Sequence, residues 1–190
     1  MITLTCIRHA EADKSTSPDN HRKRLLSEAG INQAHVLRER LGNPEFDLVC
    51  HSILPRTEET ARIVAGINDK VRTTTLRGLF YKEWERFAKP MDDFFDKLGN
   101  APLSAYDKAK AGRYTLSMAQ TCVVQLLFVA VSKRASNILV VGHGVILPAF
   151  CRHLCDTDEP FTSRPLGNCE GYQLTFDNLP ALESVNIEEI

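Results

Sequence analysis

The chain has 190 residues, of which 43% are hydrophobic and 25% charged, and its length and composition are typical of one soluble globular domain. Its formal net charge of −1 gives no support to nucleic-acid binding, which usually requires a basic excess. We expect no signal peptide and no membrane span, because the longest apolar run, residues 122–131, is too short to cross a bilayer.

The first half of the chain predicts two strands and two helices. They are a strand over residues 2–8, then a polar loop over 11–24, a helix from 28 to about 41, a strand over 47–51 and a helix over 55–65. Ser27 is a good N-cap for the first helix, and Gly42 and Pro44 end it. Pro55 suits the first turn of the second helix, and Gly66 ends that helix.

The second half continues the alternation of strands and helices. Its predicted elements are a strand over residues 71–76, a short helix over 91–98, a long buried helix over 114–134, a strand over 137–142, a helix over 145–155 and a strand at the sheet edge over 171–176. This order predicts an α/β fold, a three-layer sandwich in which a mostly parallel sheet carries helices on both faces. No repeat or linker interrupts it, so we expect residues 1–190 to form a single domain.

The six cysteines contain no Cys-x-x-Cys pair, and most lie in apolar runs, where a free thiol behaves as a small hydrophobic group. Cys151, His153 and Cys155 form the cluster that most resembles a metal site. Their spacing matches no common zinc pattern, and their segment has a helical pattern. We therefore expect no metal ion, no cofactor and a reduced protein of the cytoplasm.

Two histidines follow two of the predicted strands. Arg8 and His9 come after the first strand, and His143 comes after the strand over residues 137–142. In open α/β sheets the ligand crevice lies outside the carboxyl ends of the strands. An imidazole nitrogen can attack phosphorus, and a guanidinium can hold phosphate oxygens. The sequence thus predicts a phosphate site assembled from distant segments.

Arg56 is a further candidate for this site. It lies in the first turn of a helix that follows a strand, so its side chain can return to the crevice. The alternative is a surface arginine paired with a carboxylate three residues later, Glu59. Taken alone, the position favours the surface interpretation.

Four short motifs occur in one order along the chain. They are Arg8-His9-Ala10-Glu11, then Leu26-Ser27 with Gly30 and Gln33-Ala34, then Ser52 with Arg56 and Glu59-Thr60-Ala61, and finally Gly142-His143-Gly144. Together they resemble the histidine phosphatase superfamily, which includes phosphoglycerate mutases, phosphomonoesterases and bacterial phosphohistidine phosphatases. The resemblance covers residues 2–66 and 137–150 well, and its motifs are nearest to those of the phosphohistidine phosphatases.

The resemblance implies a role for each matching residue. His9 would be the nucleophile that becomes phosphorylated, and Arg8, Arg56 and His143 would surround the phosphoryl oxygens, with His143 also counted as catalytic. This assignment fits phosphoryl transfer, which needs an in-line nucleophile and positive groups around the oxygens. The alternatives are a surface loop residue for His9 and a core histidine for His143.

The sequence departs from the family pattern where many members carry a glutamate that protonates the leaving group. Gly78 occupies that position, in the run Leu76-Arg77-Gly78. Glu83 and Glu85 follow it as substitutes, Glu83 being the first candidate, although solvent-facing carboxylates are at least as good an interpretation. Ser15 also stands where many mutases have Asn, and Ala10 replaces the usual Gly.

A missing acid favours a substrate whose leaving group departs easily, such as a phosphohistidine. A loop over residues 19–28 resembles one in phosphohistidine phosphatases, although a solvated basic loop is an even alternative. We expect a phosphatase that acts on a phosphorylated small molecule or phosphoprotein, a phosphomonoester or phosphohistidine. The alternatives are a mutase-like phosphotransferase and a pseudoenzyme that binds phosphorylated ligands.

The segment over residues 78–113 is longer than a compact enzyme of this kind needs. Its aromatic residues are Trp84, Phe87, Phe94 and Phe95 among others. They are compatible with a cap over the crevice and equally with plain core.

Overall fold

The computed structural model describes residues 1–15, 21–67, 73–80, 85–177 and 185–190, with the backbone alone for residues 21 and 85–89. The strands are β1 (Ile2–Arg8), β2 (Leu48–His51), β3 (Thr73–Thr75), β4 (Asn137–Gly142), β5 (Gly171–Phe176) and β6 (Val185–Glu189). The α-helices are α1 (Glu28–Arg40), α2 (Pro55–Ala65), α3 (Glu85–Leu98), α4 (Leu103–Lys108), α5 (Gly112–Lys133) and α6 (Ile146–Cys155). Two short 3-10 helices cover His21–Lys23 and Arg77–Leu79.

The strands form one six-stranded sheet in the order β3-β2-β4-β1-β5-β6. The four strands from β3 to β1 run parallel, whereas β5 is antiparallel to β1 and β6 is antiparallel to β5. The predicted α/β sandwich with a mostly parallel sheet is therefore confirmed. In this order β1 and β4 are neighbours, which brings their carboxyl ends together.

Alternate residues of the central strands pack into different helical layers. In β4, Ile138 and Val140 belong to the core that α5 and α6 share, while Leu139 and Val141 belong to the core that α1 and α2 share. Because both faces of the strands are covered, they read as continuous apolar runs. The central strands are thus packed on both faces, and the loops at their carboxyl ends start from this packed sheet.

The helix boundaries with clear capping residues are confirmed. Ser27 caps α1, since its side chain accepts a hydrogen bond from the Gly30 backbone N–H. Helix α2 covers the predicted residues 55–65 and ends at Gly66, whose φ of 58° is in the left-handed region. Residues 71 and 72, part of the predicted third strand, lie outside the described residues.

Three predictions in the second half are corrected. The strand over 171–176 exists, but it is not at the sheet edge, because β6 pairs with its outer side. The short helix over 91–98 is the second half of the longer α3, which contains Pro90. Helix α4 was not predicted, and it is only six residues long.

Helix α5 was predicted to be buried, and this is wrong for its outer face. Val124, Phe128 and Val131 are 67%, 73% and 58% exposed, while Leu126 and Cys122 are fully buried. By length and composition the 22-residue helix could also cross a membrane, a test that core helices of soluble proteins pass as well. Here its inner face packs against α6 and the turn over Arg77–Leu79.

Candidate active site

The site lies where β1 and β4 end side by side. Arg8, the last residue of β1, is in register with Gly142, the last residue of β4. The register continues beyond the strands, since the His9 N–H donates to the Gly142 carbonyl at 3.1 Å. His9 and His143 are therefore delivered to the same place, and their ring centroids are 5.2 Å apart.

The His9 ring is held in one tautomer. Its Nδ1 lies 2.7 Å from the Ala10 carbonyl oxygen, and because a carbonyl can only accept, Nδ1 carries the hydrogen. Nε2 then has the lone pair, and it accepts a hydrogen bond from Arg56 Nε at 3.2 Å. Asn168 Nδ2 donates to the His9 backbone carbonyl and fixes the main chain. The ring thus presents Nε2 to the arginines.

Burial keeps this imidazole neutral. His9 is only 8% exposed. Desolvation, and after it the positive charge of Arg56, lowers the pKa of His9 to about 3. The imidazole is therefore uncharged at neutral pH. A neutral imidazole is the form that can act as a nucleophile.

Arg56 lies buried beside His9 and not at the surface. It is 9% exposed in the first turn of α2. The surface pairing with Glu59 is wrong, because Glu59 Oε2 instead accepts a hydrogen bond from the Leu26 N–H at 2.7 Å. Burial, followed by the charges of Arg24 and Arg8, lowers the pKa of Arg56 to about 10. The guanidinium still carries its charge at neutral pH.

Arg8 is oriented by Asn100 and Leu166, two residues that belong to none of the four motifs. Its Nη1 donates to Asn100 Oδ1 at 2.8 Å and to the Leu166 carbonyl. Its Nε has no acceptor among the described residues. A side chain at Gly144 would come within 2.7 Å of Asn100 Oδ1 and 3.3 Å of the guanidinium carbon, so this glycine leaves room for the pair.

His143 is anchored to the loop after β2. Its Nε2 forms a 2.8 Å hydrogen bond with Ser52 Oγ, which also bonds to Thr57 Oγ1 at 2.9 Å. Ser52 is fully buried. In the sequence, Ser52 stands out only as the first residue of the Ser-x-x-x-Arg motif. Its contact with His143, 91 positions away, has no signal in the sequence.

Two cavities meet at His9 and the two buried arginines. The first, of about 470 Å³, is lined by Arg8, His9, Arg56, Leu79, Phe80, Asp92, Phe95, Asp96, Gly99, Asn100, His143, Gly144, Val145 and Ile146. The second, of about 620 Å³, is lined by Arg8, His9, Glu11, Ala12, Asp13, Lys14, Ser15, Arg24, Ser27, Arg56 and Asn168. Arg8, His9 and Arg56 line both, so a phosphate bound there is accessible from either side.

The family model of the histidine phosphatase superfamily, branch 1, matches residues 4–187. The chain belongs to the histidine phosphatase superfamily. This membership supports a phosphatase-type activity on a phosphorylated substrate. No curated protein sequence matches the chain at a significant level.

Solved structures share the fold of this histidine phosphatase over nearly its whole length. A protein assigned as an alpha-ribazole-5'-P phosphatase from Escherichia coli is 19% identical, with a TM-score of 0.67 over 98% of this chain and 94% of that chain. A phosphoglycerate mutase from Bacillus anthracis is 18% identical, with a TM-score of 0.65 over 100% and 92%. A protein assigned as the phosphohistidine phosphatase SixA from Agrobacterium tumefaciens is 14% identical, with a TM-score of 0.57 over 100% and 97%. At these identities the likeness establishes the fold alone.

Gly78, which the resemblance places at the acid position of the family, packs against α5 and lines neither cavity. A Cβ atom on Gly78 would lie 2.7 Å from Cys122 Sγ and 3.0 Å from the Met118 carbonyl oxygen, both on α5. A side chain there would require the Cys122 thiol or the neighbouring backbone to move. Glu83 lies outside the described residues, as does the side chain of Glu85.

The remaining predicted residues are divided between the site and the core. Phe95 lines the first cavity, whereas Phe94 packs against Tyr114. Ser15 lines the second cavity and donates to Asp13 Oδ1. Trp84 and the Phe87 side chain lie outside the described residues.

Part of the predicted basic loop turns towards the site. Arg24 lines the second cavity, and the Arg22 guanidinium carbon lies 5.4 Å from the centre of the Phe80 ring. Arg22 and Lys23 are exposed, as expected of a solvated basic loop, whereas Arg24 is partly buried. Among the described residues no group of three His, Cys, Asp or Glu side chains could hold a metal ion.

Proposed function

We propose that the chain is a cofactor-independent phosphatase that transfers a phosphoryl group first to His9 and then to water. The observation that carries the proposal is the His9 ring, neutral and held by Nδ1–H, with Nε2 beside the Arg56 guanidinium. Arg8, Arg56 and His143 line the same cavity as this nitrogen. Positive and donor groups around the equatorial oxygens are what phosphoryl transfer needs from a protein.

In the first step the Nε2 lone pair forms a bond to phosphorus while the bond from phosphorus to the leaving atom breaks. The leaving atom takes the electron pair of that bond. The imidazole becomes a phosphorylated cation, and Nδ1–H remains bonded to the Ala10 carbonyl. In the second step water attacks phosphorus and the N–P bond breaks. Neutral His9 is restored and inorganic phosphate is released.

Our proposal for the substrate class starts from position 78, where the resemblance expects a glutamate and the chain has a glycine. Because Gly78 packs against α5, we propose a substrate that leaves without strong proton assistance, a phosphohistidine or a phosphomonoester with a good leaving group. We further propose one domain in which residues 78–113 cap the crevice, supported by the cavity-lining side chains of α3. The six free cysteines support a reducing location such as the cytoplasm.

Trapping the intermediate tests the proposal. The wild-type protein is mixed with a ³²P-labelled aryl phosphate and quenched in base within the first turnovers, because a phosphoramidate survives base and decays in acid. We expect label on His9, located by peptide mapping. His9→Asn should carry no label and should lose hydrolysis by about a thousandfold or more, the scale on which removal of a nucleophile acts.

The matched control is His35→Asn, because His35 is an exposed histidine on α1 that lines neither cavity. It should be labelled and should turn over as the wild type does. Hydrolysis that persists in His9→Asn, or label on another residue, would contradict the assignment of the nucleophile.

A further inference from the structure

The segment over residues 166–170, which leads into β5, is bonded to the backbone of Arg8. The Arg8 N–H donates to the Glu170 carbonyl at 2.9 Å, and the Cys169 N–H donates to the Arg8 carbonyl at 3.2 Å. These bonds continue the antiparallel pairing of β1 and β5 beyond the start of β5. The segment therefore follows the end of β1 to the edge of the sheet where the candidate site lies.

The same segment holds the Arg8 guanidinium and the His9 backbone. Arg8 Nη1 donates to the Leu166 carbonyl, and Asn168 Nδ2 donates to the His9 carbonyl at 3.1 Å. Arg8 Nε is buried and has no acceptor among the described residues. Because Nη1 is bound to the protein, the position of the Leu166 carbonyl determines where Nε points and whether it can donate to an incoming anion.

The Glu170 carboxylate fixes the shape of this segment. Its Oε2 accepts one hydrogen bond from the Gly167 N–H at 2.9 Å and another from Arg164 Nη1. The bond from Arg164, and after it the bond from Gly167, holds the pKa of Glu170 below its ordinary value, so the side chain is charged at neutral pH. Arg164 Nε in turn donates to Glu189 Oε2 on β6 at 2.9 Å. The carboxylate therefore ties the segment to the edge of the sheet.

Gly167 leaves the space that this carboxylate occupies. A Cβ atom at position 167 would lie 2.8 Å from Glu170 Cδ and 3.0 Å from its Oε1. Gly167 is not among the glycines with a positive φ, so an alanine there causes no backbone strain. The end of a glutamate side chain is flexible and would turn away from the new methyl group. Gly167→Ala therefore displaces the carboxylate without changing a charge.

We infer that Glu170 is a positioning residue for Arg8, because its carboxylate shapes the segment that holds the Arg8 guanidinium in place for a phosphate. This inference rests on the proposed function, in which Arg8 binds the phosphoryl group. Glu170 lines neither cavity, so it acts through the segment and not by contact with the substrate.

The inference separates ligand affinity from global stability. The side chains of Arg164 and Glu170 are 41% and 43% exposed, and ion pairs of this kind contribute little to the free energy of unfolding. A guanidinium binds an anion through directed hydrogen bonds, so even a small displacement of Arg8 weakens them. Loss of the Glu170 carboxylate should thus lower the affinity for a phosphate-like anion while the urea midpoint of unfolding stays close to that of the wild type.

The experiment measures binding of orthovanadate, a phosphate mimic, by calorimetry at neutral pH. Glu170→Ala should weaken binding by about tenfold, the scale of one lost charge-assisted hydrogen bond. Glu170→Gln should stay within about threefold of the wild type, because one amide oxygen can accept both hydrogen bonds that Oε2 accepts.

Gly167→Ala tests the same contact from its other side. It should weaken binding about as much as Glu170→Ala does. The double variant Gly167→Ala/Glu170→Ala should bind no more weakly than either single variant, because both changes remove one shared contact. Glu188→Ala is the matched control, since Glu188 is an exposed glutamate on β6 that forms no ion pair with Arg164, and it should bind as the wild type does.

Four results would overturn the inference. They are no binding of vanadate to the wild type, unchanged affinity in Glu170→Ala, a loss in Glu170→Gln as large as in Glu170→Ala, and additive losses in the double variant. A urea midpoint that falls in step with the affinity would likewise show a structural role in place of a positioning one.

Phosphorylation of His9 separates this inference from the proposed function. If vanadate affinity falls in Glu170→Ala as expected but His9 of the wild type takes up no label, the proposed function fails and the positioning of Arg8 stands. If His9 is labelled but Glu170→Ala binds vanadate as the wild type does, the inference alone fails.

Discussion

At the scale of single residues, the site combines groups that are costly to bring together. Arg8 and Arg56 are both largely buried, and each lowers the pKa of the neighbouring His9. The same burial that removes the imidazolium form leaves Nε2 ready to attack. Here a charged His9 is disfavoured in the folded protein, and this links the chemistry of the site to its stability.

This linkage predicts that His9 makes the protein sensitive to acid. The pKa of His9 is about 3 in the folded chain, against an ordinary value of 6.5, so the unfolded chain binds the additional proton between these values. Stability is complete above the ordinary value and falls as the pH drops towards the folded one. Between about pH 7 and pH 5 the loss from this group is on the order of 2 kcal/mol.

Urea unfolding at the two pH values measures this loss. The wild type should lose about 2 kcal/mol more than His9→Asn, which has no imidazole to protonate. His35→Asn, exposed in the folded protein, should lose as much as the wild type. An equal loss in the wild type and in His9→Asn would show that the buried imidazole does not have the lowered pKa.

At the scale of the elements, the buried and the exposed face of α5 should contribute differently to the free energy of unfolding. Leu126 is fully buried and Phe128, two residues later, is 73% exposed. Leu126→Ala should therefore cost about 2–5 kcal/mol of unfolding free energy, from lost burial and a residual cavity. Phe128→Ala should change it by no more than about 0.5 kcal/mol.

Thermal or urea unfolding of the two variants checks this difference, with the wild type as reference. The order of the two losses matters more than their size, because both variants remove a large apolar side chain from the same helix. A loss for Phe128→Ala as large as for Leu126→Ala would mean that the outer face is covered in the folded protein.

The sequence predicted the elements that carry local signals. Ser27 and Gly66 gave the ends of α1 and α2 because capping depends on residues adjacent in the chain. Strand β6 was missed because Val185–Glu189 is short and mostly polar, as an edge strand is. The outer face of α5 was misjudged because its apolar residues gave no contrast between the two sides.

In the candidate site, too, the sequence predicted the residues that have local signals and missed those placed by tertiary contacts. His9 and His143 could be found because a strand leads directly into each, and chain order places both at the carboxyl edge of the sheet. The Ser52–His143 and Arg8–Asn100 contacts join residues about ninety positions apart. The cavity face of α3, with Asp92 and Asp96, likewise depends on how that helix packs against the sheet. Such contacts are set by tertiary structure and leave no local pattern.

At the scale of the whole molecule, the carboxyl end of the sheet lines one part of the crevice, where we propose that the phosphate binds, and described residues of the segment 78–113 line the rest. The sheet end is built on strands whose faces are both covered, and it includes His9, Arg8 and His143. The other end is reached from the turn that contains Gly78 and from α3. Because that turn packs against α5, a side chain at position 78 would require the Cys122 thiol, α5 or the turn to move.

This architecture predicts a steep dependence of rate on the leaving group. With no proton delivered to the departing oxygen, kcat/KM should fall strongly from aryl to alkyl phosphates of similar shape and charge, and Glu83→Gln should change neither.

If Glu83 instead supplies the proton, Glu83→Gln should lower alkyl phosphate turnover by about a hundredfold or more and spare aryl phosphates, which leave without help. Glu58→Gln, on the exposed side of α2, is the control for a neutralised surface carboxylate. The loss of the acid would be contradicted if the wild-type rate did not depend on the pKa of the leaving group while chemistry is rate-limiting. Such independence requires a proton donor at the leaving oxygen.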